Sequence, residues 1–487
     1  MKLDLNKYRD KVYACWLGKN IGGTMGAPYE GARQMNDIKG FATDASVVLP
    51  NDDLDLQLMW LIAVEKCGIA GLDSKRLGEF WLSYITPHWN EYGICKTNMG
   101  LGIQPPLSGD CFNNWKHSNG AWIRTEIWAS LAPGAPDIAM KYAYEDASVD
   151  HGTGEGTVAA MFVAAIESAA FVVDDIRTLI NIGLSKIPEE SRLAQSIRLL
   201  LQCRDEGMDY RDARNVILKQ NADIGDGWFE APSNVTYALL GLLWGDGDFK
   251  KSMIYAINCG DDTDCTAATV GSILGIRGGT AAIPEDWRRH IGDSIITATL
   301  AECRMSARPH PPKTCTDLTD RVVKQVEGVL AYHNADVVLT SGEEDIPSDI
   351  AERFISDDKF ARELCARPPR SFRVDFEYAS ALVTLSDEPR IVPFEKFRIH
   401  VSFTSAWHVY GNANYYLRFR WLLPEGFRVE GPRGVVLNAR NAHSDGRAEV
   451  DFYIVAPEHP EAVNRVVLEA LADGRATAGY MPITLLS

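Results

Sequence analysis

Two short acidic clusters hold the residues best suited to chemistry in this chain, Asn51-Asp52-Asp53 and Asp261-Asp262-Thr263-Asp264. Each reads as the start of a helix. Leu54, Leu58, Leu61 and Ile62 follow the first at helical spacing, and Ala267, Ala268, Gly271, Ile273 and Leu274 follow the second. A single such cluster is well explained as a cap, because carboxylates suit the positive end of a helix dipole. Two clusters brought together in space would repel each other unless a cation sat between them. Hard oxygen ligands of this kind suit Mg²⁺ or Mn²⁺, so a metal site is the first reading and helix capping the alternative.

The elements that must position these clusters divide the chain in two. At 487 residues it is too long for one ordinary core. Residues 1–335 read as predominantly helical, with Glu155–Phe171, Val235–Trp244 and Phe249–Asn258 as clear segments. The stretch from Pro87 to Asn119 is rich in Gly, Asn, Pro and Trp and reads as a long ordered loop. Residues 336–370 read as a linker with a short helix. Beyond it the period becomes two: Phe397, Ile399, Val401 and Phe403 alternate with polar residues, as do Tyr415, Leu417, Phe419 and Trp421. Asp473-Gly474 reads as a hairpin turn. The expected fold is therefore multi-domain α and β: an all-α domain followed by a small all-β sandwich over 371–487.

Composition narrows the partners. Apolar residues make up 46% and charged residues 24%, as in ordinary globular proteins. A net charge of −17 argues against nucleic acid or anionic membrane as a partner, and it slows any phosphate-bearing ligand unless bound metal inverts the local field. Ten cysteines lie without a CxxC pair or regular spacing, which points away from a disulfide framework or a zinc site. Met1–Lys7 lacks the apolar core of a signal peptide, and no segment approaches membrane-spanning length. A cytoplasmic, reduced protein is the expectation.

Four segments of the helical region form one ordered pattern. They are Gly18-Lys19-Asn20-Ile21-Gly22-Gly23-Thr24-Met25-Gly26-Ala27-Pro28-Tyr29-Glu30-Gly31; Asn51-Asp52-Asp53; Asn119-Gly120-Ala121-Trp122-Ile123-Arg124 continuing to Asp150-His151-Gly152; and Gly260-Asp261-Asp262-Thr263-Asp264-Cys265-Thr266 leading to Gly278-Gly279. In this order and spacing they resemble the ADP-ribosylglycohydrolase family over roughly residues 8–300. The resemblance implies an all-α fold holding up to two Mg²⁺ or Mn²⁺ ions in a central cleft. It assigns Asp52, Asp53, Asp262 and Asp264, with Asn51, to the metal, and Glu30 to acid/base work. It places Asn119 and Gly120 near the ligand's phosphates and His151 against the ligand.

The chain departs from the family pattern in three places. Asn51 stands where a Thr is usual, as a ligand or as a plain N-cap. Asp261 stands for a Gly, and Cys265 for a hydroxyl ligand that a thiol replaces poorly toward Mg²⁺. Asp55 follows Asp52 by three residues on the same helix and could orient a ligand. Trp89, Tyr92, Phe112, Trp115 and Trp122 read either as lining of a ligand cleft or as pins holding their segment to the core.

The expected activity is hydrolysis of a glycosidic bond to an ADP-ribosyl or related ribosyl group, on a small molecule or a protein. Metal that grips vicinal hydroxyls would fix the sugar, while Glu30 relays a proton between water and leaving group. The alternatives are a hydrolase of another furanosyl or sugar conjugate, and a non-catalytic ADP-ribose or sugar binder. The β-domain reads as a buttress, lid or dimer contact, or as a carbohydrate module with Trp407, Tyr410 and Trp421 as stacking platforms.

Overall fold

The computed structural model describes residues 1–225, 227–300, 310–406, 414–441 and 443–487. They form two compact units. One comprises Met1–Gly93 with Asn113–Ala366, the other Ile94–Phe112 with Arg367–Ser487.

The first unit is helical. Its centre is the pair Leu5–Gly26 and Thr263–Gly278, each buried along most of its length: every residue from Ala14 to Gly26 and from Thr263 to Ile276 is buried. A helix buried on all sides has no polar face, which explains why neither sequence shows a clean amphipathic stripe. Small residues make the approach close. A Cβ on Gly22 would lie 2.3 Å from the Ala267 carbonyl carbon, and one on Gly26 would lie 2.4 Å from the backbone nitrogen of Asp264. Around this pair stand Asp52–Cys67, Pro136–His151, Glu155–Ala169, Ala231–Trp244 and Cys315–Tyr332. Lys2–Asp4 and Val338–Thr340 pair as a short parallel ribbon in the same unit. Two short helices, Ile350–Ser356 and Lys359–Cys365, occupy the stretch read from sequence as a linker with one.

The expected long loop between Pro87 and Asn119 is a correction. It folds into a helix, Asn90–Gly100, and a single turn, Leu107–Asp110. Its glycines and asparagines lower helix propensity, but burial of Tyr92, Cys95, Ile103, Leu107 and Cys111 outweighs that preference.

The second unit is a sandwich of two antiparallel sheets. In spatial order one holds Ala478–Leu486, Val463–Ala472, Tyr415–Leu422 and Gly434–Leu437; the other holds Ser371–Phe376, Ala379–Leu385, Lys396–Ser405, Arg447–Val455 and Arg428–Glu430. The period-two alternation reads correctly. Phe397, Ile399, Val401 and Phe403 are buried, and Phe403 stacks on Phe419 of the facing sheet at 5.4 Å. Ile103, Leu107 and Cys111 complete this core from outside the strands. Trp421 packs edge-on against Phe452 at 5.2 Å, so it fills the core rather than offering a platform. Trp407 and Tyr410 lie outside the described residues. Gly474, at φ +81°, makes the expected turn after Ala472. Among the described residues, no helix is long and apolar enough to cross a membrane.

Candidate active site

The close packing of the two central helices delivers the acidic residues to one cleft. Thr263 donates its hydroxyl to the Gly26 carbonyl at 2.9 Å, tying the end of one helix to the start of the other. The chain then turns through Ala27–Tyr29 to Glu30. Gly31 N–H donates to the Asp261 carbonyl and Asp261 N–H to the Ala32 carbonyl, each at 2.8 Å. This two-bond clasp holds the Glu30 loop against the second acidic cluster. One carboxylate oxygen from each of Glu30, Asp262 and Asp264 lies within 4.8 Å of the others; a second group, Asp53, Asp264 and Cys265, meets the same condition. Asp52 lines the cleft beside them.

Electrostatics reflects this crowding. Asp264, burial and Asp52 together push the Glu30 carboxyl up to about 8, although its side chain is open to solvent. Burial, Asp264 and Asp55 push Asp52 up to about 7. Asp262 and Asp53 are pushed well above the ordinary carboxylate range, chiefly by burial. Buried oxygens of Asp53 (Oδ2), Asp262 (Oδ1) and Asp264 (Oδ1) have no hydrogen-bond partner. Buried carboxylate oxygens without a partner are costly; a hard divalent cation fits those of Asp262 and Asp264, whereas Asp53 Oδ2 lies 3.7 Å from the Lys19 ammonium.

Asn51 caps its helix, its Oδ1 accepting from Asp53 N–H at 3.1 Å. Asp55 accepts from the N–H groups of Ala298 and Thr299 at 2.7 and 2.5 Å, so it anchors that segment; burial pushes it up to about 6 against these bonds. Asp261 adopts φ +65°, and its carboxylate is held by Asn234 Nδ2 at 3.2 Å, outside both ligand groups. Asp is among the few residues that tolerate that conformation. Asn119 donates to Asp262 Oδ2 at 2.6 Å while its own oxygen accepts from Trp122 Nε1 at 2.9 Å. Gly120 lines the cleft. His151 is fully buried behind the cleft wall, its Nδ1 2.9 Å from Asp150 and its Nε2 3.2 Å from Ser118 Oγ, a residue that does line it.

Several site residues were not singled out in the sequence. Lys19 is fully buried, 2.7 Å from Glu126 and 3.7 Å from Asp53. Burial alone would push its ammonium toward the neutral form, but Glu126 and Asp53 more than reverse this and hold it charged. Gln57 spans Glu126 (2.8 Å) and the Asp53 carbonyl (2.9 Å). Glu91 also lines the cleft, buried, with Oε2 unpartnered. The signal for Lys19 was a cation inside the otherwise uncharged stretch from Ala14 to Gly26; Glu91 carried none.

Of the aromatics, Trp89 and Tyr92 line the cleft with Phe229, while Trp122 is wholly buried. Asn90 (φ +37°) and Phe229 (φ +51°) both line the cleft in the left-handed region, where backbone strain concentrates at functional sites. The cleft volume is about 100 Å³.

The class so defined is a mainly helical domain with a carboxylate-lined cleft at the starts of two helices. The ADP-ribosylglycohydrolase family model matches residues 4–326, and the chain belongs to that family. The match ends before the sandwich. An uncharacterised protein of Archaeoglobus fulgidus is 28% identical over 308 residues, covering 60% of this chain and 95% of that protein. Among solved structures, an ADP-ribosylglycohydrolase-related protein complex is similar at 20% identity and a TM-score of 0.43, over 66% of this chain and 99% of that one.

Proposed function

We propose that the protein is a metal-dependent hydrolase that cleaves a glycosidic bond to a ribosyl group, with catalysis in the helical domain, residues 1–335. The observation that carries this reading is the convergence of Glu30, Asp262 and Asp264 with buried oxygens left unpartnered. Mg²⁺ or Mn²⁺ would supply charge stabilisation and an anchor for the sugar's vicinal hydroxyls. Asp52, Asp262 and Asp264 would hold that ion, with Asn119 fixing the Asp262 rotamer. Glu30, solvent-accessible, takes a proton from the attacking water in its ionised form and returns one to the leaving group; a cation beside Asp264 favours that form over the carboxyl raised to about 8 without one. Water oxygen joins the anomeric carbon as the bond to the leaving atom breaks, so the products are the free sugar and the protonated leaving group. His151 and Ser118 position the cleft wall.

The second ion position is weakened. Burial and neighbouring carboxylates push the Cys265 thiol far up, so it stays protonated, and Lys19 already balances Asp53. A single strong divalent site follows. The test is hydrolysis of ribosides with and without Mg²⁺ or Mn²⁺, in the wild type and in Glu30→Gln and Asp262→Ala. Loss of turnover on chelation and in both variants is expected; unchanged turnover in either variant overturns the mechanism.

A further inference from the structure

Resting on the hydrolase reading, we infer that the substrate is a phosphate-free N-riboside whose planar leaving group carries a positive charge or N–H donors. Five carboxylate residues line the cleft, Glu30, Asp52, Glu91, Asp262 and Asp264, and among the described residues lining it there is no Lys or Arg. A lining of carboxylates with no cationic side chain offers a diphosphate no partner of its own.

The groups that would have received a diphosphate are already committed. The Asn119 amide is engaged at both ends by Asp262 and Trp122. The Gly120 carbonyl accepts from Arg124, whose guanidinium is buried and paired with Asp146 and Asp150. Lys19 is fully buried, outside the cleft lining, and paired with Glu126. Beside Gly120 stands Glu91 instead: a Cβ on that glycine would come within 2.2 Å of Glu91 Oε1. Its other oxygen is buried and unpartnered at the cleft wall. A carboxylate in that state asks for a cation or an N–H donor from the ligand.

The remaining wall is aromatic. Trp89 and Tyr92 stack at 6.3 Å and 21°, and Trp89 keeps 53% of its surface exposed, which leaves a face for a flat, electron-poor ring. A cleft of about 100 Å³ is also small beside the ~300–1,000 Å³ of pockets that enclose whole drug-sized ligands. In the reaction, water oxygen bonds to the anomeric carbon, the C–N bond breaks, and its electron pair leaves with the ring nitrogen; a cationic ring departs neutral, so the water proton passes to Glu30 and then to solvent.

The test uses two compounds with the same scissile bond, nicotinamide riboside and NAD⁺, which differ by the diphosphate-linked adenosine. With Mg²⁺ or Mn²⁺ present, kcat/KM for nicotinamide release should favour the riboside by roughly 100-fold. Glu91→Gln should shrink that ratio by about ten-fold, mainly through a higher KM for the riboside. The wild-type comparison needs no variant, so a folding defect in Glu91→Gln leaves it decisive. Equal or better turnover of NAD⁺ overturns this inference alone, as does a folded Glu91→Gln with an unchanged ratio. Release of nicotinamide from neither compound overturns this inference alone when another riboside is still turned over, and the hydrolase reading with it when none is.

Discussion

Cys265 donates its thiol hydrogen to Asp53 Oδ1 over 3.2 Å, while the Lys19 ammonium stands 3.7 Å from the other oxygen of the same carboxylate. Both oxygens of Asp53 therefore face positive hydrogen or charge supplied by the chain itself. A carboxylate balanced in this way has less to gain from a second divalent ion. Asp264 lies within 4.8 Å of the acids of both groups.

Ion stoichiometry follows from that arrangement. Calorimetric titration of the metal-free protein with Mn²⁺ should give one strong site per chain. Cys265→Ser replaces a poor hard-metal ligand with a hydroxyl and should raise the affinity of a second site by about ten-fold. Two equally strong sites in the wild type would contradict the internal-cation account.

Lys19 should also matter for stability. Its replacement by Met leaves Glu126 and Asp53 buried without their cation, a change that typically costs about 3–5 kcal/mol. Urea unfolding of the metal-free helical unit measures it. A loss below about 1 kcal/mol would mean that proton uptake by the freed carboxylates compensates.

The metal-free protein should become less stable as pH rises from about 4.5 to 8. Glu30 and Asp52 have folded values of about 8 and 7, above their ordinary 4.5 and 3.8, so the native state holds more protons than the unfolded state across that window. Stability then falls with rising pH, because its slope follows the protons bound by the unfolded state minus those bound by the native. Bound Mg²⁺ or Mn²⁺ replaces those protons, so the metal-induced rise in Tm should grow over the same interval. A metal effect that shrinks toward pH 8 would refute the assignment.

Asp264→Asn tests the crowding directly. Removing the carboxylate shared by both ligand groups should raise the metal-free Tm, since it relieves repulsion on Glu30, Asp52, Asp53 and Asp262. The same change should abolish the metal-induced shift. Differential scanning fluorimetry with and without Mn²⁺ reads both effects, and a lower metal-free Tm together with a retained shift would be the opposite result.

The sandwich depends on a segment far from it in sequence. Leu107→Ala should destabilise that unit by about 2–5 kcal/mol, the usual cost of a buried Leu truncation. Residues 367–487 expressed alone, without Ile94–Phe112, should expose the uncovered core face and bind a hydrophobic dye. A soluble, cooperatively unfolding 367–487 fragment would show that the segment is dispensable.

Local order explains what was legible from residues alone. The alternation around Val401 and Leu417, the Asp473-Gly474 turn and the helix starts at Asp52 and Thr263 each depend on neighbours a few positions away. The two carboxylate clusters were legible as helix starts, and the structure brings Asp262 and Asp264 within 4.8 Å of Glu30. The Asn90–Gly100 helix was not, because its composition favours a loop and its burial is set by distant partners.

The sequence by itself determined the two kinds of domain, the acidic clusters and the glycines that let two helices touch. Only the tertiary structure decided which carboxylates lie within reach of one another. It set Asp55 against Ala298 and Thr299, held Asp261 with Asn234, and buried His151 behind Ser118. It also brought Lys19 under Asp53 and Glu91 to Gly120. The physical reason is that ligation and charge balance depend on distances of a few ångströms between residues up to more than two hundred positions apart, as with Asp53 and Cys265. Helix and strand periodicity record only which face of an element is buried, not what it meets there.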